Sequence, residues 1–276
     1  MSSNPEIANS IQTGAFKTNY HDVGEGSPVF MIHGSGPGVT AWANWRLVIP
    51  ALAENHRVIA PDMAGFGFTE RVDDYEYSME NWVQHAIDLM DALEIEKAHL
   101  VGNSFGGGLA IALAIKHPER VNRLVLMGAA GVDFELTQGL DEVWGYEPSV
   151  ANMRKMMDLF AYDRSLVSDE LAELRYKASI QPGFQESFSQ MFPAPRQRWV
   201  EALASDPEEI KKIQHETLMV HGREDLVVPP ITSKTLFELI PNSQLHMFGC
   251  CGHWTQIEHN ARFNELVLDF FAEDNQ

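Results

Sequence analysis

The run HLVGNSFGGGLAIALAIKHPER, residues 99–120, constrains this chain more than any other stretch. Its apolar start reads as a strand, and from Phe105 onward small and aliphatic residues read as a helix. Between them stands Gly102-Asn103-Ser104-Phe105-Gly106, a G-x-S-x-G in the strand–turn–helix setting its chemistry requires. Two glycines permit a sharp turn that larger side chains would obstruct. Such a turn lifts the Ser104 hydroxyl above a sheet, at a helix N-terminus whose partial positive charge favours a developing anion. Ser104 is the candidate nucleophile.

The surrounding text supports a sheet of the right kind. VFMIHG, HRVIAPD, HLVGNS, RLVLMGAAG, TLMVHG and QLHMF are short, nearly continuous apolar runs. Helical patterns separate them, near 42–53, 78–93, 105–117, 233–240 and 258–271. Apolar strands alternating with helices predict a parallel sheet covered on both faces. The amphipathic GAFKTNYHDVG predicts an antiparallel edge strand. The rhythm breaks between about Phe134 and Ile210, where the pattern turns helical and Pro182, Pro193, Pro195 and Pro207 punctuate it. A core domain of residues 1–133 and 211–276, with a helical lid of residues 134–210, is the organisation expected. Met153, Met156, Met157, Trp144, Phe192 and Trp199 would suit the apolar roof of a pocket, although each alone reads as ordinary core.

A serine nucleophile needs a base, and the base needs an orienting acid. Of eleven histidines, His253 lies just past the last strand and just before the last helix, where the chain order Ser, acid, His supplies the base. His33 and His221 end strands and read as structural, and His259 is already helical. For the acid, TLMVHGREDLVVPP offers Glu224 and Asp225, and Asp133 follows another strand. Asp225 is preferred because LVVPP turns it back toward the sheet edge, with Asp133 in reserve.

An early loop, HGSGPG, also follows a strand and could be taken for a phosphate cradle. Its glycines at 34, 36 and 38 do not give G-x-G-x-x-G, Pro37 removes a backbone donor, and no Walker lysine follows. Facing a serine nucleophile, such a loop supplies a backbone N–H to an oxyanion hole, with the N–H of Phe105 as the second donor.

Acidic residues outnumber basic ones, 39 to 20, and a net charge of −19 excludes nucleic acid and anionic membrane as expected partners. No apolar stretch approaches the ~18 residues of a membrane span. MSSNPEIANSIQ lacks a basic start followed by an apolar run, so no signal peptide is expected. The only cysteines, Cys250 and Cys251, are adjacent and cannot form an ordinary staple, which fits a reducing cytoplasm. They have no second pair to match, and H-E-x-x-H is absent, so neither metal nor cofactor is expected.

HGSGPGVTAWANWR, APDMAGFGFTE, VGNSFGGGLAIALA, LRYKASIQPGFQESF, HGREDLVVP and GHWTQIEH together resemble the meta-cleavage product hydrolases of bacterial aromatic degradation, over nearly the whole chain. The resemblance is to the monocyclic branch, which serves toluene, cumene and phenol pathways. It implies the α/β-hydrolase fold, a mostly parallel eight-stranded sheet with the lid inserted after the sixth strand. It implies Ser104, Asp225 and His253 as the triad and the backbone of Ser35 and Phe105 as the oxyanion hole. Asn44 and Asn103 are implied at the substrate's oxygenated end, and Arg175 and Trp254 at its carboxylate and 2-hydroxy/2-oxo groups. Ala130, Trp144, Val200 and Val228 are implied at the far end of the pocket, where their size suggests a C6 methyl or short alkyl group. The implied reaction is hydrolysis of the C5–C6 bond of a dienoate such as 2-hydroxy-6-oxohepta-2,4-dienoate, with 2-hydroxymuconate-6-semialdehyde as the alternative. Homodimers or larger homo-oligomers are implied as well. An ester or lactone hydrolase would share the triad. A non-catalytic scaffold would usually have lost one of its members, and Ser104 argues against the acidic nucleophiles of dehalogenases and epoxide hydrolases.

Overall fold

The computed structural model describes residues 4–272. Among them, eight strands form one sheet: β1 (Asn9–Thr13), β2 (Phe16–Val23), β3 (Ser27–Ile32), β4 (His56–Pro61), β5 (Ala98–Asn103), β6 (Val121–Met127), β7 (Thr217–Gly222) and β8 (Ser243–Phe248). Their spatial order is β1-β2-β4-β3-β5-β6-β7-β8. Every neighbouring pair from β4 to β8 is parallel, and β2 runs antiparallel to β1 and β4. The expected antiparallel strand is therefore present but second in the sheet. The edge belongs to β1, whose NSIQT carries one apolar residue and gives a strand pattern almost nothing to show.

Side chains alternate between two cores, as strands buried on both faces require. Phe30, Ile32, Leu100, Leu124 and Met219 point to one face, under the helices Met79–Ala92 and Phe105–Lys116. Val29, Met31, Val101, Val125 and Val220 point to the other, against Trp45, Leu52, Phe263 and Val267. Before β6 come the helices α1 (Ala41–Trp45), α2 (Ile49–Leu52), α3 (Met79–Ala92) and α4 (Phe105–Lys116). Between β6 and β7 come α5 (Gln138–Trp144), α6 (Val150–Phe160), α7 (Asp169–Ser179), α8 (Phe184–Met191), α9 (Gln197–Leu203) and α10 (Pro207–Ile210). After β7 follow α11 (Ile231–Leu239), α12 (Thr255–Glu258) and α13 (Asn260–Ala272). Among the described residues no helix is long and apolar enough to cross a membrane.

Two of the expected helices are split. The one near 42–53 breaks after α1 because Pro50, in the first turn of α2, has no N–H to give a continuing helix. The one near 258–271 begins earlier and breaks at His259, whose φ of −123° leaves the helical region. Helix α4 is buried from Phe105 through Ala114, and its apolar residues on every side mark it as the central helix of the fold.

Topology places the site. The chain goes from β3 outward to β4, then crosses to β5 on the other side of β3. The loops after β3 and β5 thus leave the carboxyl ends of adjacent strands in opposite directions, which is where open α/β sheets form a crevice.

Candidate active site

Ser104 sits immediately after β5 with φ 54° and ψ −114°, a left-handed conformation that non-glycine residues adopt only when their surroundings fix it. Here the backbone is fixed on both sides. Its N–H donates to the Met127 carbonyl at 2.9 Å, and its carbonyl accepts from Gly107 at 2.9 Å and Ala130 at 3.0 Å. The flanking glycines are needed for close approach. A Cβ on Gly102 would stand 2.3 Å from the Gly106 carbonyl oxygen, and one on Gly106 would stand 2.3 Å from that of Ile32. Phe105 opens α4, so its N–H is one of the donors that a helix cannot satisfy from within.

His253 and Asp225, expected as base and acid, meet on neighbouring loops. His253 Nδ1 donates to Asp225 Oδ2 at 2.7 Å, which leaves Nε2 to serve as the base. The other Asp225 oxygen accepts the backbone N–H groups of Val227 at 2.8 Å and Val228 at 3.0 Å, the turn that LVVPP suggested. Burial alone would push the Asp225 carboxyl up. The facing His253 and His221 rings outweigh it and hold the group well below the usual carboxylate range. Glu224 instead accepts from the Cys251 N–H at 3.0 Å and pairs with Arg223, while Asp133 is exposed. Ser104 and His253 line one cavity without a mutual hydrogen bond, the looser arrangement common before substrate tightens a site.

The glycine loop lies against the elbow. A Cβ on Gly34 would come 3.5 Å from that of Ser104. Asn44 Oδ1 accepts from the Gly34 N–H at 3.1 Å and from Asn103 Nδ2 at 2.9 Å, tying the loop to the residue before the nucleophile. The remaining groups of that pair, Asn44 Nδ2 and Asn103 Oδ1, have no protein partner. Ser35 lines the cavity, and its hydroxyl accepts from Trp144 Nε1 at 3.1 Å. His33 does not enter the chemistry. Its Nε2 accepts from the Met63 N–H at 3.0 Å and its Nδ1 donates to the Gly34 carbonyl, and burial pushes its pKa down to about 4.

The cavity holds about 480 Å³ and is mainly apolar, roofed by Met153, Met156, Met157 and Phe160 of the lid. Trp254 and Arg175 line it. Ala130, Trp144, Val200 and Val228 do not: they are buried in the packing beside it. Two of them bond through backbone to the residues expected as the triad, Ala130 by its N–H to the Ser104 carbonyl and Val228 by its N–H to the Asp225 carboxylate. Three residues at the site had no sequence signal read from them, Glu6, Arg46 and Phe160, and a fourth, His221, reads from the sequence only as a structural residue at the end of a strand. Glu6 pairs with Arg175 at 2.7 Å, and both it and Arg46 line the cavity. Phe160 stacks on His253 and Trp254 with ring centroids 5.7 and 5.3 Å apart. Only the position of His221, four residues before Asp225, could have suggested its role. Among the described residues no group of three His, Cys, Asp or Glu side chains is placed to hold a metal.

Comparison with known proteins agrees with this geometry. Residues 27–260 match the family model described as alpha/beta hydrolase fold. A 2-hydroxymuconate semialdehyde hydrolase from Pseudomonas sp. strain CF600 is 65% identical over 98% of this chain and 95% of its own length. The chain belongs to the meta-cleavage product hydrolases. A 2-hydroxy-6-oxo-2,4-heptadienoate hydrolase from Pseudomonas putida strain F1 is 64% identical over 99% of both chains. Among solved structures, a meta-cleavage product hydrolase from Pseudomonas fluorescens IP01 superposes with a TM-score of 0.98, at 66% identity over 99% of this chain and 100% of that one. The family's activity, serine-dependent hydrolysis of a carbon–carbon bond in a ring-fission product, is this chain's activity.

Proposed function

We propose that the chain hydrolyses the C5–C6 bond of 2-hydroxy-6-oxohepta-2,4-dienoate, giving 2-hydroxypenta-2,4-dienoate and acetate. The observation that carries the reading is the His253–Asp225 bond at 2.7 Å, on a cavity lined by both Ser104 and Arg175. A guanidinium offers a carboxylate two parallel donors, so Arg175 seats the C1 carboxylate. Asn44 Nδ2 and Asn103 Oδ1, otherwise unpartnered, serve the polar groups of the chain between the two ends.

The steps follow from these positions. The 2-hydroxy proton leaves and a proton arrives at C5, so the dienol becomes a 2-oxo-3-enoate that can accept an electron pair. His253 Nε2 is the group that carries that proton. Ser104 Oγ then adds to C6 as its own proton passes to His253. The carbonyl oxygen becomes an oxyanion held by the N–H groups of Ser35 and Phe105. Collapse breaks C5–C6 and its electrons enter the 2-oxo-3-enoate to form the dienolate, which takes the proton from His253 and leaves as the dienol, while the acyl group stays on Ser104. Water activated by His253 releases it as the acid.

A small C6 group is supported by the burial of Ala130, Trp144, Val200 and Val228, all 7% exposed or less, which leaves that side of the elbow closed. The semialdehyde, with hydrogen at C6, fits the same space and is the activity named for one of the two relatives. The deciding experiment follows the visible absorbance of the yellow dienoate. Its decay with wild type and its loss in Ser104→Ala support the reading, and no decay with wild type overturns it. Within the series, kcat/KM is expected to fall in the order methyl, hydrogen, phenyl at C6. An equal value for the phenyl compound would overturn the small-group assignment.

A further inference from the structure

The side chain of Glu6 has no task in building the segment that carries it. That segment is held by main-chain and asparagine contacts. The Glu6 carbonyl accepts from Asn19 Nδ2 at 2.9 Å, its N–H donates to Asn4 Oδ1 at 3.0 Å, and the Ile7 N–H donates to the Asn4 carbonyl at 3.1 Å. Asn19 is itself anchored to the buried Asp62 at 2.8 Å. The Glu6 carboxylate is directed instead to Arg175, with Oε1 2.7 Å from Nη1 and side chains only 15% and 17% exposed. Arg175 spends a second nitrogen on the Gly38 carbonyl of the glycine loop.

A second cation shares this end of the cavity. Arg46 donates to the Ala43 carbonyl at 2.9 Å and, among the described residues, forms no ion pair. Arg175 disfavours its charge and Glu6 favours it, after the larger effect of burial, so the three groups act on one another. Two guanidiniums and one carboxylate thus leave a net positive end in an otherwise apolar cavity.

We propose that Glu6 is an internal stand-in for the substrate's carboxylate, a positioning residue that sets affinity because an incoming dienoate must displace it from Arg175. The inference rests on the reading of Arg175 as the carboxylate seat. A buried guanidinium left unpaired is costly, and Glu6 keeps it paired and oriented between turnovers. An arriving carboxylate exchanges with Glu6 and keeps the guanidinium paired. A neutral ester or amide cannot make that exchange and leaves Glu6 on Arg175, so the cost of displacing Glu6 falls on acids alone and lowers their affinity, which lets the product acid leave.

Calorimetric binding of sorbate, a dienoate that cannot be cleaved, and of sorbamide, its neutral amide, tests this without relying on turnover. Sorbate is expected to bind Glu6→Gln about three- to fivefold more tightly than wild type, the worth of a partly exposed ion pair. Sorbamide should gain nothing, and Glu6→Asp, which keeps the charge, should bind sorbate as wild type does. KM for the hydrolysed dienoate should fall in Glu6→Gln by the factor seen with sorbate. Unchanged or weaker sorbate binding in Glu6→Gln, equal gains for sorbamide, or no sorbate binding by either protein would overturn the proposal. Tighter sorbate binding alongside a wild type that fails to cleave the dienoate would leave the anion seat standing and sink the assigned reaction.

Discussion

His221 and His253 converge on one oxygen of Asp225, with Nε2 of the first 3.2 Å and Nδ1 of the second 2.7 Å from Oδ2. The other His221 nitrogen is taken by Ser233 Oγ at 2.6 Å, and its Nε2 also donates to the Val228 carbonyl at 3.0 Å. Asp225 is thereby pinned from both sides, and His253 inherits its orientation.

Because the Asp225 carboxyl is held below the ordinary range, its sign is that of a depressed acid. Its contribution to stability is fully present above the unfolded value near 4 and is lost only as pH falls through its lower folded value. It therefore stays ionised throughout the working range. Asp225→Asn should lower kcat by about 10⁴-fold, and by the same factor at every pH from 5 to 9. A ratio that closes toward unity below pH 6 would show that Asp225 titrates there and would contradict this account.

Ser104 stores strain at φ 54°. Ser104→Ala removes the nucleophile and keeps the Cβ in that conformation, whereas Ser104→Gly removes both. Glycine is easier in the left-handed region but adds entropy to the unfolded chain, and the two effects partly cancel. The glycine variant should still be the more stable of the two, by about 1 kcal/mol of the ~1–3 kcal/mol such strain costs. Chemical denaturation of both variants decides it, and a glycine variant less stable than the alanine variant would mean that the turn is not strained.

Much of this site can be read from the chain because its parts have local signatures. Ser104 is marked by flanking glycines that the elbow needs, and His253 and Asp225 by their places after strands. The caps Thr137, Ser149 and Ser168 each accept from the N–H three residues on, a local signal that fixes where α5, α6 and α7 begin. What escaped depends on contacts far apart in sequence. Glu6 reaches Arg175 across 169 residues, and the carbonyl of Phe160 accepts the N–H of His253. The four residues expected at the pocket's far end are apolar and near the elbow, but apolar character does not say which face of a side chain meets the cavity and which meets the core.

Acid stability should be set partly by three buried groups. Burial pushes His33 and His85 down to about 4 each, and pushes Asp62 up to about 6 against the bonds it accepts from Ala41, Phe68 and Asn19. The two histidines are depressed, so their neutral forms favour folding above about pH 6.5, and that contribution is lost as pH falls toward 4. Asp62 is raised, so folding gains as pH falls through 6. Near pH 5 the unfolded chain holds two extra imidazole protons and the folded chain one extra carboxyl proton. The net of one proton makes these groups lower stability by about 1 kcal/mol per pH unit on acidification. Urea midpoints between pH 4.5 and 6.5 measure the slope. Asp62→Asn removes the opposing proton and should steepen it, and a shallower slope in that variant would refute the assignment.

Phe160 joins the lid to the catalytic loop. Its ring, 8% exposed, stacks on His253 and Trp254, and its carbonyl accepts their N–H groups at 2.7 and 3.3 Å. A Cβ on Gly252 would stand 2.5 Å from that same carbonyl, so the glycine before His253 lets the C-terminal end of α6 close on the loop. Phe160→Ala should cost about 3–5 kcal/mol of stability, as loss of a buried aromatic does, and should lower kcat because the stacked ring no longer holds one face of the imidazole. Phe160→Leu separates the two effects. It refills most of the volume and should regain most of the stability, while kcat stays below wild type because the flat ring against His253 is gone. Denaturant midpoints and kcat for the pair provide the check. A leucine variant with wild-type kcat would show that Phe160 only fills space.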